Sequence, residues 1–247
     1  MPRASSGLRN AALRDDSRNK IRQKRNLHIA VQVTSVESVT VTRPPRRDSA
    51  DNREALLSAA RLVFNRDPNA SLETVATEAG LSRRSVYGHF ANRDELLLEL
   101  VTSGARRIAG ALEGISHPDP LIRLALIASR LWREVESIRV MAVIAVRGPL
   151  ASDTARFLEP IRRNVRAAVR DGQSAGTMRP DVAPERLARL VESTALVVLE
   201  EATRHPLGER EGHELVIIMT LGAVGLGWAA SQNLIDTTPE ISWKDGE

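Results

Sequence analysis

The chain has 247 residues, no cysteine and a formal net charge of +4. Without a thiol it can form no disulfide, thiolate metal site or cysteine nucleophile, and its 42% of hydrophobic residues suffice for one large or two small cores. Glycine and proline fall mostly between helical patterns and few segments alternate as strands do, so the expected fold class is all-α.

Residues 1–48 read as a basic, disordered N-terminal extension, because residues 1–50 hold 11 Arg and Lys against 4 Asp and Glu with few apolar neighbours. Residues 29–41 alternate as a strand would, yet no partner strand is visible. Two readings stay open for this stretch. One is an arm that follows phosphates or enters a minor groove; the other is a tail without a role, with translation starting at a valine such as Val41. No apolar stretch of roughly 7–15 residues follows the early charges, which argues against a secretory signal.

Residues 49–97 carry the clearest pattern. Asp51 and Glu54 have capping-box spacing and set the start of a first helix near Asp51, with Leu56, Ala60, Val63 and Phe64 on its inner face. The segment from Asn65 to Asn69, containing Pro68, breaks the chain. Ser71 then caps a second helix whose apolar edge is Val75, Ala76 and Ala79. Gly80 ends that helix, Leu81 fills the corner and Ser82 caps a third. Val86 and Phe90 face inward, which leaves Arg83, Arg84, Ser85, Tyr87 and His89 outward or partly outward. Such residues donate to phosphates and base edges. Two short helices joined this way read as a helix-turn-helix, and Asn92 caps a fourth helix running to about Gly114.

The run Tyr87-Gly88-His89-Phe90-Ala91-Asn92-Arg93-Asp94-Glu95-Leu96-Leu97 closely resembles the end of the DNA-binding region in the tetracycline-repressor (TetR) family of bacterial regulators. The resemblance reaches back to the helix at about 51–65. It implies that Tyr87 and His89 touch phosphates and that Arg93 contacts the DNA backbone beside the amides of the fourth helix. Ser71, Ser82, Ser85 and Gly88 complete the expected DNA-binding set. Arg83 and Arg84 suit guanine O6 and N7, and which of the two reads a base stays open. Gly88 stands where a bulkier residue is usual and removes one potential base contact. Glu73 is an acid on a surface meant for phosphate and is expected to turn away.

Residues 98–235 read as a larger helical ligand-binding and dimerisation domain, followed by a tail at 236–247. Pro118-Asp119-Pro120 starts a helix to about Ser137, and residues 138–146 form a short apolar one. Ser152 caps the next, in which Pro160 either kinks the helix or begins another. The loop at 171–181 resembles one that precedes the dimer helices of TetR-type regulatory domains. Pro184 opens a helix to about 203, and a last long helix spans about Gly212 to Asn233. Its charge-free stretch from Leu215 to Ala230 is 16 residues, short of the roughly 20 that cross a bilayer. That segment reads as a buried core helix or as a homodimer interface formed by 185–203 and 212–233, with Gly222, Gly225 and Gly227 allowing close approach; the two-fold symmetry of an operator calls for the dimer.

By the resemblance, a small-molecule effector sits among the middle helices and weakens the binding of a double-stranded DNA operator. Trp132, Met141, Phe157 and Trp228 are the candidate pocket residues; Arg133, Arg139 or Arg147 could meet an anion. No cofactor is implied. His205, Glu209, Glu211 and His213 lack the spacing of a metal site, and no nucleophile elbow, phosphate loop or His-Glu-x-x-His helix points to an enzyme. The expectation is a cytoplasmic DNA-binding regulator, with no membrane span.

Overall fold

The computed structural model describes the backbone of residues 45–243 and side chains from Ser49 onward. The basic extension, its alternating segment and the alternative start near Val41 lie outside the described residues. Ten α-helices and one 3-10 turn follow in order, with no strand among the described residues.

Helix α1 (Pro45–Arg66) starts well before the expected cap. Asp51 therefore lies inside the helix, and Pro45, whose fixed φ suits a first turn, stands at its beginning. Helices α2 (Leu72–Glu78) and α3 (Arg83–His89) are capped as their sequence dictates: Ser71 accepts from the Thr74 N–H and Ser82 from the Ser85 N–H. Gly80 between them takes φ +67°, a conformation that costs a side-chain-bearing residue energy. Helix α4 (Arg93–Ala111) is capped by Asn92, and the Glu95 carboxylate reaches back to the Ala91 N–H at 2.7 Å.

Beyond α4 come α5 (Pro120–Val135), the 3-10 turn Glu136–Ile138, α6 (Arg139–Arg147), α7 (Ala151–Ser174), α8 (Pro184–Arg204), α9 (Glu209–Ala223) and α10 (Trp228–Thr237). Two expectations change here. Helix α7 runs through Pro160 and begins at Ala151, so Ser152 is helical rather than a cap. Pro160 is exposed, where water can take up the carbonyl that it leaves unbonded. The expected long helix at 212–233 is two helices. Gly225 has φ +100° between them, and the Arg179 N–H from the loop after α7 bonds the Val224 carbonyl at 2.9 Å. Among the described residues no helix is long and apolar enough to cross a membrane.

The described residues belong to one compact unit, within which the buried side chains form two clusters. The first, the head, joins α1, α2, α3 and the start of α4 through Leu56, Phe64, Val75, Val86, Phe90 and Leu96, all fully buried. Arg53 reinforces it by pairing with Glu99 and stacking 4.6 Å from the centre of the Phe90 ring. The second, the body, is larger and joins α4, α5, α7, α8 and α9 around Leu124, Trp132, Ala168, Leu187 and Ile217. Helix α6 serves both: Met141 and Ala145 belong to the head cluster and Ala142 to that of the body. At the far end Ile241 is fully buried in the body, and the Trp243 ring lies 5.1 Å from that of His213.

Candidate nucleic-acid interface and internal cavity

Buried Val86 and Phe90 hold α3 down on the head, so its other face is turned to solvent. Arg83, Arg84, Tyr87 and Gly88 are exposed there, while Ser85 and His89 are half-buried. Arg84 makes no hydrogen bond or ion pair with any described residue. Ser71 and Ser82 are exposed caps, and a hydroxyl that accepts from a backbone N–H keeps its own proton to donate. Nothing approaches Gly88 within 4 Å of where a Cβ would stand, so its backbone lies open.

Two residues take partners not expected of them. Arg93 donates through Nε to the Ala70 carbonyl at 3.1 Å and through Nη2 to that of Pro68, and its guanidinium stacks 5.0 Å from the centre of Phe64. Its fork thus clamps the loop between α1 and α2, a structural role beside the one expected of it on the DNA backbone. Two main-chain carbonyls are partners that a sequence motif does not display. Glu73 does not turn away. Its Oε1 accepts the Tyr87 hydroxyl at 2.9 Å and lies 3.2 Å from Nη2 of Arg83. Its own backbone N–H, the Tyr87 and Ser71 hydroxyls and the Arg83 charge hold its carboxyl below the ordinary carboxylate range, against a smaller opposing effect of burial.

Inside the body lies a cavity of about 690 Å³ bounded by α4 to α9. Trp132 and Met141 are in its wall, with Leu124, Ile127 and Leu199 among many apolar neighbours. Phe157 and Trp228 are not. The guanidinium groups of Arg106 and Arg156 lie 4.8 and 4.6 Å from the centre of the Phe157 ring, and Trp228 is 77% exposed at the start of α10. Phe157 is half-buried and Trp228 exposed, and neither direction can be read from spacing alone. The charged residues of the wall all come from α7 and α8, and of these Arg162 and Glu192 pair at 2.8 Å. Arg133, Arg139 and Arg147 are not part of the wall. Instead Arg147 bonds Glu200 at 2.9 Å, Arg139 lies 5.7 Å from the Trp132 ring, and Arg133 lies 5.6 Å from that of Trp243.

The link between head and cavity has no counterpart in the sequence motifs. Asn65, near the end of α1, donates from Nδ2 to the Ser137 carbonyl at 3.0 Å and accepts through Oδ1 from the Val140 N–H at 3.2 Å. One side chain thereby ties the head to the start of α6, whose Met141 and Ala142 line the cavity. Its partners are more than 70 residues away in sequence, and an Asn before a loop gives no sign of them. The remaining chemistry-bearing residues are dispersed. His205 bonds Glu201 at 2.7 Å, whereas His213 faces Ser129 in the body.

Comparison with known proteins follows the same division. Residues 56–100 match the profile described as bacterial regulatory proteins, tetR family. Among solved structures, SmeT, the repressor of the Stenotrophomonas maltophilia multidrug efflux pump SmeDEF, is 26% identical; the match covers 71% of this chain and 91% of that one with a TM-score of 0.55. A SmeT–triclosan complex matches at 24% identity over 72% of this chain and 94% of that one, also at 0.55. PfmR of Thermus thermophilus, a TetR-family transcriptional regulator, is 21% identical over 68% and 96%, with a TM-score of 0.56. No curated protein matches the chain significantly.

Proposed function

The chain belongs to the TetR family of bacterial regulators, and from that premise we propose that it is a homodimeric repressor released from a palindromic operator by a small-molecule effector. What carries the reading is one face of α3. Arg83, Arg84 and Tyr87 project together from a helix that a sealed core holds in place, within the matched residues 56–100. In this reading residues 49–97 read DNA and residues 98–235 sense the effector and dimerise. Helix α3 enters the major groove, Arg83 or Arg84 meets a guanine, and Ser71, Ser82, Ser85, Tyr87 and His89 set the register on the backbone. Gly88 lets that backbone come close.

Two further observations support the finer parts. Leu190 and Val197 on α8 and Met219 on α9 are about half exposed although apolar, which suits a surface that a second copy covers. A two-fold operator calls for such a pair. The cavity has a mostly apolar wall, so the effector is a largely apolar molecule. One that binds better when the heads are spaced wrongly for DNA must by linkage weaken operator binding. The effector site places Trp132 and Met141 against the ligand. A cytoplasmic location follows from the DNA target.

Selection of bound duplexes from a random pool by the full-length chain tests this reading. A consensus of two inverted half-sites is expected, together with a dimer in sedimentation. Absence of any enriched sequence, or a monomer at micromolar concentration, would overturn the DNA-reading or the dimeric part respectively.

A further inference from the structure

Glu73 stands in the first turn of α2, on the surface that carries Arg83 and Tyr87. A single oxygen of its carboxylate receives the Tyr87 hydroxyl at 2.9 Å and faces Arg83 Nη2 at 3.2 Å. The Arg83 guanidinium lies 5.5 Å from the centre of the Tyr87 ring, so the three side chains form one cluster. A phenol has one proton to donate. While Tyr87 gives it to Glu73, it has none for a phosphate. Arg83 differs, because its side chain is 74% exposed and most of its fork still faces solvent. An anionic oxygen that accepts from a tyrosine hydroxyl and pairs with an arginine has the partners of a DNA phosphate oxygen.

We propose that Glu73 sets the specificity of this interface by standing in for a backbone phosphate. In the free chain it occupies the proton of Tyr87 and one side of Arg83. Random DNA offers phosphates in exchange, which replaces one anionic acceptor by another and brings the displaced carboxylate close to like charge. Little is gained. A cognate site adds base contacts from Arg83 and Arg84, and only there does the exchange become favourable. Glu73 thus lowers affinity for DNA at large more than affinity for the operator. This role rests on the DNA-binding reading above.

The test compares the full-length chain with Glu73→Gln, Tyr87→Phe and the double variant. Each is titrated with a random-sequence duplex and with the consensus duplex recovered by selection, over a range of salt, and thermal melts check the fold. Glu73→Gln is expected to bind the random duplex about five-fold tighter at low salt, with a salt dependence steeper by about 0.9 for the released arginine. The consensus gains less, so the ratio of the two affinities falls. In the Tyr87→Phe background the same change gains less on the random duplex. A Glu73→Gln protein with an unchanged melt and unchanged or weaker binding to the random duplex overturns the role of Glu73. Should the wild-type chain enrich no duplex at all, the DNA-binding reading falls and this role with it.

Discussion

In the head, Leu56, Phe64, Val75, Val86 and Phe90 are all fully buried, with the charged pair of Arg53 and Glu99 beside the Phe90 ring. In the body lie most of the buried polar side chains of the described residues, including Ser129, His213, Thr220 and Ser231, and its helices border a cavity of about 690 Å³ whose wall also takes Val101, Met141 and Ala145 from the head cluster. Under the proposed function, a head with a closed core suits an element whose side chains must meet fixed positions on a duplex. Under the same proposal, a body that borders a cavity suits an element that must adapt to a ligand. The proposal thus divides reading and sensing between two parts of one chain that meet at α4 and α6.

The largest expected difference between the two regions is in their response to acid. His213 is fully buried, bonded through Nε2 to the Ser129 hydroxyl at 2.7 Å, and its Nδ1 has no partner among the described residues. Burial, and then the charge of Arg133, push its pKa from 6.5 down to about 4. Between those values the unfolded chain holds a proton that the folded chain refuses. The contribution to stability is therefore complete above about pH 6.5 and is lost as pH falls toward 4, by up to about 3 kcal/mol. Denaturant unfolding across that range should show a shallower fall for His213→Gln than for the wild type. Parallel curves would mean that the body tolerates the charge.

Packing sharpens the contrast next. Ala60 in the head and Ala128 in the cavity wall are both buried alanines. Ala60→Leu has no space to fill and should cost about 1–3 kcal/mol. Ala128→Leu extends into the cavity, should cost less than about 1 kcal/mol and should leave DNA affinity intact while blocking an effector. Thermal melts of the two variants decide the matter, since equal losses would show that the cavity is not open space in solution.

The same division explains what is legible in the sequence. The head is written in local signals: Ser71, Gly80, Ser82 and Asn92 each act on residues within one turn, and Val86 and Phe90 fix the face of α3. The body is written in long-range contacts, so its helices can be marked but not oriented. Phe157 and Trp228 illustrate this, because spacing identifies an aromatic without saying which side of the bundle receives it. Gly225 reads as a site of close approach, yet its φ of +100° splits one expected helix into two. Pro160 misleads in the other direction, as a helix exposed to water tolerates what a buried one would not. At the interface, Glu73 is visible as an acid out of place; its partners, on another helix, are not.

Arg93 provides the next smaller effect. Because its fork holds the carbonyls of Pro68 and Ala70, Arg93→Ala should lower stability by about 1.5 kcal/mol. If the clamp is its whole role, the salt dependence of DNA binding stays that of the wild type. A slope flattened by about 0.9 would place this arginine on a phosphate as well.

The smallest effect on stability falls on the residue that joins the two regions. Asn65→Ala removes two bonds to main-chain groups at Ser137 and Val140, at a cost of about 1 kcal/mol. Its effect on coupling should be the more telling one. If the cavity acts on the head through α6, a looser joint lets each part relax alone. An effector found by screening against the selected operator should then bind the variant as it binds the wild type, yet shift operator affinity less, by about 0.5–2 kcal/mol of lost coupling. Undiminished coupling would assign the transmission to α4, the other helix that enters both cores, and Leu100 and Val101, its residues in the head cluster nearest the body, would become the positions to change.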